Sequence, residues 1–282
     1  MIFLHIELDN YVVGIPLVAL VVALAILGQV LVKRIVSRES LINCHEVAGY
    51  CFSVVGTLYA VILGLVVLDA ITKYENAAIS IEKEAISLIS VYTLADHFKD
   101  TDSEAKIQQL SKYYLNEVLA NDWNLMNEGK KNFKARNILK RLIDTNNAIE
   151  PITENQKIIL PILIDKSLSI RESSRARYNQ ADNGISTVEW IALLVGGLVT
   201  IMFNYFFNVD NSKAQYLMTG IITLVISMNL YIVLLFAEPY TGDFIASRIP
   251  LIQAQQIMDE TYYGDGWSLE NERELSEIRL VP

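Results

Sequence analysis

The sequence predicts an all-α, polytopic membrane protein with four transmembrane helices and a helical extramembrane domain. Three observations predict it. Apolar residues make up 52% of the 282-residue chain and the mean hydropathy is +0.31, values typical of a membrane protein that carries a polar domain. That apolar content is clumped into four runs, at 11–32, 47–68, 188–207 and 216–237, each close to the roughly 20 residues that cross ~30 Å of hydrocarbon. No alternation of apolar and polar residues long enough for a sheet occurs. The expected organisation is spans 1 and 2 in residues 1–71, a helical domain continuing helix 2 in 72–184, spans 3 and 4 in 185–237, and an acidic C-terminal tail in 238–282.

The first run is preceded by MIFLHIELDN, which holds no Lys or Arg, and it exceeds the roughly 7–15 apolar residues of a cleavable signal. It is therefore expected to remain as a span. Lys33, Arg34 and Arg38 follow it, and the positive-inside bias places this short basic loop in the cytoplasm and the helical domain outside.

The second run carries the most information. Stepping by three and four from Tyr50 gives Ser53, Thr57, Ala60, Gly64, Val67, Ile71, Tyr74, Ala78, Ile81, Ala85, Leu88, Tyr92 and Ala95. All are small, apolar or aromatic, while Lys73, Glu75, Glu82, Lys83 and Glu84 lie off this line. Neither Gly nor Pro interrupts 65–95, so one helix is expected to run from the span into water. Helices in lipid associate through close backbone approach at small residues, and in water through apolar burial, so one seam is expected to serve both segments. Two readings follow. The seam packs on another span of the same chain, or copies of helix 2 surround an axis with Ser53, Thr57, Ala60, Gly64, Val67 and Ile71 lining a narrow path. His45 and Glu46 stand at headgroup depth as an entrance site or an interfacial cap. Asp69, at the other end, has Lys73 four residues on, an i,i+4 pair.

Thr101 with Glu104 starts a helix to about 127, residues 130–144 form another with Phe133, Leu139, Leu142 and Ile143 inward, and Thr153 with Gln156 caps a third in which Ile158, Ile162 and Leu168 point inward. Pro161 should bend that third helix. Arg171, Arg175 and Arg177 precede the third span as surface anchors, or as a ring that draws anions to a pore mouth. In the third span Gly196 and Gly197 permit close contact, and Glu189 and Trp190 mark its interface. Pro239 and Gly242 end the fourth.

Charges balance between Thr72 and Gly184, 16 acidic against 16 basic, whereas the chain from Glu238 holds nine acidic and three basic residues. This acidic tail, read as a solvated end, argues against a nucleic-acid partner. Asp243, Asp259, Glu260 and Asp265 match no EF-hand spacing, and Cys44 and Cys51 form no metal-binding pattern, so no metal or other cofactor is assigned. His5, His45 and His97 are far apart, no catalytic motif occurs, and no catalytic residue is assigned.

The strings HEVAGYCFSVVGTLYAVILGLVV, KYENAAISIEKEA and EPYTGDF resemble the bacterial bestrophin-like membrane protein family, with His45, Glu46, Gly49, Tyr50, Gly56, Tyr59 and Ala60 as the most specific positions. The resemblance implies a multi-pass protein of the bacterial cytoplasmic membrane. Through the more distant bestrophins it implies a pentameric channel whose second helix lines an anion pathway and whose helical domain is cytoplasmic, opposite to the charge-based orientation. Two departures stand out: Ser53, Thr57 and Gly64 replace the bulky apolar neck of that family, and its dense acidic calcium clasp is missing. The leading expectation is thus a homo-oligomeric ion channel, with the bilayer, copies of itself and inorganic ions as partners. The alternative is a membrane-anchored scaffold or sensor whose helical domain binds a protein.

Overall fold

The computed structural model describes residues 11–36, 38–98, 103–182, 184–207, 211–241 and 244–263, leaving aside the side chains of 11, 38–45 and 261–263. In chain order they form α1 (Tyr11–Ile35), α2 (Arg38–Leu94), a 3-10 turn (Ala95–Phe98), α3 (Ser103–Glu117), a π-turn (Val118–Asp122), α4 (Trp123–Asn127), α5 (Phe133–Asn147), α6 (Glu154–Asp182), α7 (Thr187–Tyr205), α8 (Ser212–Ala237) and α9 (Ile249–Tyr263). The described residues contain no strand, and α1, α2, α7 and α8 are each long and apolar enough to cross a membrane. Two compact units result, one from the chain up to Ala77 with Asn179–Ala246, the other from Ala78–Tyr178 with the chain from Ser247.

In the first unit the basic residues expected in a loop sit on helices: Lys33 and Arg34 in the last turn of α1, where cations suit the helix dipole, and Arg38 at the start of α2. α1 runs antiparallel to α8, with Gly14 against Tyr231, Ile26 against Gly220, and Lys33 Nζ donating to Ser212 Oγ at 3.3 Å. α2 joins α7 through Tyr59, whose ring lies on Gly196 and Gly197; a Cβ on Gly196 would stand 2.5 Å from Tyr59 Cδ2. The small residues in the third span thus do allow the close approach expected of them, and their partner is an aromatic ring. Leu63, Val66, Leu193, Ile226 and Val233 complete this core. Ser186 opens α7 with a capping box in which Glu189 accepts from the Ser186 backbone N–H at 2.8 Å, so Glu189 is a helix cap as well as an interface residue. α8 stops before Pro239, where Phe236 and Phe244 pack on Tyr74 at centroid distances of 5.3 and 4.9 Å. Gly242 lies outside the described residues.

In the second unit α5 begins at Asn132, whose side chain accepts from the Lys134 and Ala135 amides, and the Thr153 and Gln156 box opens α6 as expected. The proposed start at Thr101 lies outside the described residues; α3 is described from Ser103. Leu139, Leu142 and Ile143 are buried as expected, but Phe133 is 65% exposed. The inward face of α6 also differs by one position, with Ile159, Leu163, Ser167, Ile170 and Ser173 buried and Ile158 and Ile162 exposed. Polar anchors set that phase: Asn146 donates to Ser167 Oγ, and Arg177 is drawn inside by two carboxylates. α6 continues through Pro161. Residues 249–263, assigned by composition to the acidic tail, form α9, with Leu251, Ala254 and Met258 buried, Asp259 paired to Lys112 at 3.0 Å, and Gln255 donating to Asn116 at 2.7 Å.

The heptad seam on α2 does not keep to one environment. α2 is unbroken past Asp69, as expected, but Ser53, Thr57, Ala60 and Gly64 are exposed whereas Ile81, Ala85, Leu88, Tyr92 and Ala95 are buried in their own chain. The buried face follows Tyr59, Leu63, Val66, Ala70, Ala77, Ile81, Glu84, Leu88, Val91 and Ala95, a stripe of the helical period of about 3.6. A seam of period 3.5 drifts by about 20° per heptad around such a helix, so over four heptads it passes from the open face to the buried one. The lower seam is therefore core and is unavailable to another copy.

Gly196→Ala is expected to lower stability by about 1–3 kcal/mol through overpacking against Tyr59, seen as earlier thermal unfolding in detergent. Gly64→Ala, whose added Cβ meets nothing within 4 Å, should leave the melting temperature unchanged or raised, alanine being the better helix former.

Candidate functional site

The membrane-spanning part of α2 has one face turned to its neighbours and one turned outward. Tyr59, Leu63, Val66 and Ala70 occupy the first. One position further round, Ser53, Thr57, Ala60 and Gly64 are exposed, with Val67 and Ile71 half-buried. Thr57 Oγ1 donates to the Ser53 carbonyl at 2.7 Å, which satisfies the hydroxyl within the helix and leaves the stripe smooth. One position beyond, Val54, Leu58, Val61, Leu65 and Leu68 form a second exposed, bulkier row. None of these residues is charged, so the outward face is a groove of small residues beside an apolar ridge.

At one end Glu46 is exposed, while the side chain of His45 lies outside the described residues. At the other, Asp69 Oδ2 meets Lys73 Nζ at 2.7 Å, and the same ammonium donates to the Gly184 carbonyl at 3.3 Å. Asp69 is thus held by the pair expected of it, and Lys73 also ties α2 to the segment that leads into α7.

The three arginines separate. Arg171 and Arg175 are exposed, but Arg177 is fully buried, which removes it from any anchoring or mouth-lining set. Its Nε donates to Glu84 Oε2 at 2.9 Å, and its Nη2 lies 2.7 Å from Asp122 Oδ2 and 3.2 Å from Glu84 Oε1. Tyr114 donates to Glu84 at 2.5 Å, Asn132 donates to Asp122 at 2.7 Å, and the guanidinium lies 5.4 and 5.2 Å from the rings of Trp123 and Tyr178. Glu84 and Asp122 are equally buried. Burial works against the charge on Arg177, yet the facing carboxylates of Glu84 and Asp122 outweigh it and hold the guanidinium well above its ordinary range. Burial, reinforced by the charge on Glu84, pushes the Tyr114 phenol well up. The carboxylate of Asp122 comes from the π-turn, a geometry with no signature in the sequence. Glu84 gave no signal either, since it sits among the charged residues Glu82 and Lys83, which remain exposed.

A sequence model of the Bestrophin-like domain matches residues 19–251, from within α1 to the start of α9. The chain belongs to the bestrophin-like family. The fold agrees: the crystal structure of a bacterial bestrophin homologue from Klebsiella pneumoniae, carrying a single mutation, is similar at a TM-score of 0.66 and 10% identity, over 88% of this chain and 99% of that one. No curated protein matches the chain.

In this bestrophin-like chain the described residues contain no group of three metal-ligating side chains. Asp259 is engaged by Lys112, and Asp243 and Asp265 lie outside the described residues.

Arg177→Met should strand two buried carboxylates and lower stability by about 3–5 kcal/mol, whereas adding Glu84→Leu should recover part of the loss; thermal unfolding of the single and double variants measures both. Acid should act at a second pair. Lys134, 2.5 Å from Glu117, holds that carboxyl below its ordinary range, so its stabilisation is present above the unfolded carboxylate value of ~4.3 and lost as pH falls through the lower folded value. The difference in melting temperature between wild type and Glu117→Gln is expected to shrink on acidification from neutral pH toward about pH 3.

Proposed function

We propose that this protein is a homo-oligomeric ion channel of a bacterial cytoplasmic membrane in which the spanning part of α2 lines the path. The observation that carries the reading is the uncharged small-residue face of Ser53, Thr57, Ala60 and Gly64, left uncovered while the adjacent face of the same helix is packed on α7. An exposed groove of small residues suits close approach to something other than lipid tails, which gain nothing from it. Family membership supports the channel class, and the bestrophin resemblance supports five copies and anions as the conducted species. Val67 and Ile71 continue the lining, with Glu46 and the Asp69 and Lys73 pair at its ends. Further along α2 the seam residues Ile81, Ala85, Leu88, Tyr92 and Ala95 belong to the core of their own helical unit and are not part of the lining. Arg171 and Arg175, being exposed, are the basic groups left to concentrate anions near the membrane.

Purified protein in liposomes should release chloride faster than empty vesicles, and Gly64→Trp should reduce that flux while leaving oligomer mass in detergent unchanged. In a background without Cys44 and Cys51, cysteines at positions 53, 57, 60 and 64 should react with a water-soluble thiol reagent, and those at 54, 58, 61 and 65 should not. A monomeric mass in detergent, or vesicles that stay tight across pH, calcium and voltage, would overturn the reading. The reverse labelling pattern would move the lining to the apolar ridge.

A further inference from the structure

Gln29 is fully buried on the inner face of the first span, toward its C-terminal end, and neither its Nε2 nor its Oε1 meets a hydrogen-bond partner among the described residues. A carboxamide in that condition costs several kcal/mol in a membrane interior, and such groups mark sites that hold something. Its surroundings follow from the contacts one turn to either side. Four residues earlier the Ala25 carbonyl accepts from Tyr205 of α7 at 2.8 Å, and four residues later Lys33 donates to Ser212 and lies over the Tyr216 ring of α8. With Ile26 beside Gly220 as well, the antiparallel register sets Gln29 level with Gln215 and Thr219 on α8 and with the Asn204 turn of α7.

That level is polar. Gln215, Thr219 and Asn204 are all buried; Asn204 donates to Thr219 Oγ1 at 2.7 Å, Thr219 donates to the Gln215 carbonyl at 3.1 Å, and Gln215 Nε2 donates to the Phe207 carbonyl, which leaves Gln215 Oε1 with no partner among the described residues. The unmatched atoms are therefore one amide donor and two amide acceptors, contributed by two helices, and the nearby ammonium of Lys33 is already engaged by Ser212 and the Tyr216 ring. A cation would leave the Nε2 donor facing a like charge, and an anion would face two carbonyl oxygens. A molecule that both donates and accepts, and is small enough for a closed site, satisfies all three.

We propose that Gln29 and Gln215 hold an ordered water between α1 and α8, and that this water bridge fixes the first span to the α7 and α8 hairpin. This goes beyond the conducting role argued for α2 and uses none of its residues.

The test is a double-mutant cycle in detergent with a map to accompany it. Gln29→Leu and Gln215→Leu should each lower the melting temperature, and the double variant should fall by clearly less than the sum, because either single change already removes the bridge. A high-resolution electron cryomicroscopy map of the wild type should show density about 3 Å from the Gln29 carboxamide, lost in Gln29→Leu. Additive shifts, or a map in which the carboxamide bonds directly to a protein group without such density, would overturn the proposal. Should a Gln215 variant fail to fold, the Gln29→Leu map alone decides it. Chloride flux is read separately, so a dry site here and a non-conducting α2 are distinguishable results.

Discussion

An unbroken helix cannot re-aim its side chains, and α2 is unbroken from Arg38 to Leu94. Every residue along it is fixed at about 100° from the next, so whichever stripe is buried leaves its neighbours open. The stripe from Tyr59 to Ala95 recurs at the helical period and is core throughout. All else on α2 follows: the small residues one position away stay open in the span, the heptad seam converges on the core further along, and Glu84 falls on the inward stripe despite its charge.

That last consequence is costly, and the second unit is arranged around it. A carboxylate in an apolar interior must be paired and hydrogen-bonded, since an unpaired buried charge is strongly destabilising. Arg177 from α6, Asp122 from the π-turn, Tyr114 from α3 and the Asn132 cap of α5 converge on this one position. Such a network adds little net stability over an apolar core, but it tolerates one arrangement of its helices, because each slip would strand a charge. The phase of α6, shifted from the one its isoleucines suggest, is the visible result.

The span bundle meets the same demand by other means. Several hydroxyls there are satisfied locally, Thr57, Thr200 and Ser227 each bonding back to a carbonyl four residues earlier. Helix contacts rely on glycine against tyrosine, Gly196 and Gly197 on Tyr59 and Gly14 on Tyr231, which suits an environment where apolar burial offers no driving force. Asn229 bonds back in the same way, whereas the carboxamides of Gln29 and Gln215 keep unmatched atoms.

The four spans, the all-helical class, the uninterrupted α2, the capping box at Thr153 and the family were legible in the amino-acid sequence, because each is written in local composition or spacing, whereas the capping box at Ser186 emerged only with the fold. Run length, Gly and Pro absence and cap residues act through the backbone within a few residues, so they are legible without a fold. Long-range packing alone settles which of two adjacent stripes on α2 is core, that Glu84 and Arg177 are a buried pair 93 residues apart, that residues 249–263 are a packed helix, and which face of α6 is inward. Those outcomes depend on where distant groups meet. A charge in a list of charges reads as solvated until the partner that makes its burial tolerable is brought beside it.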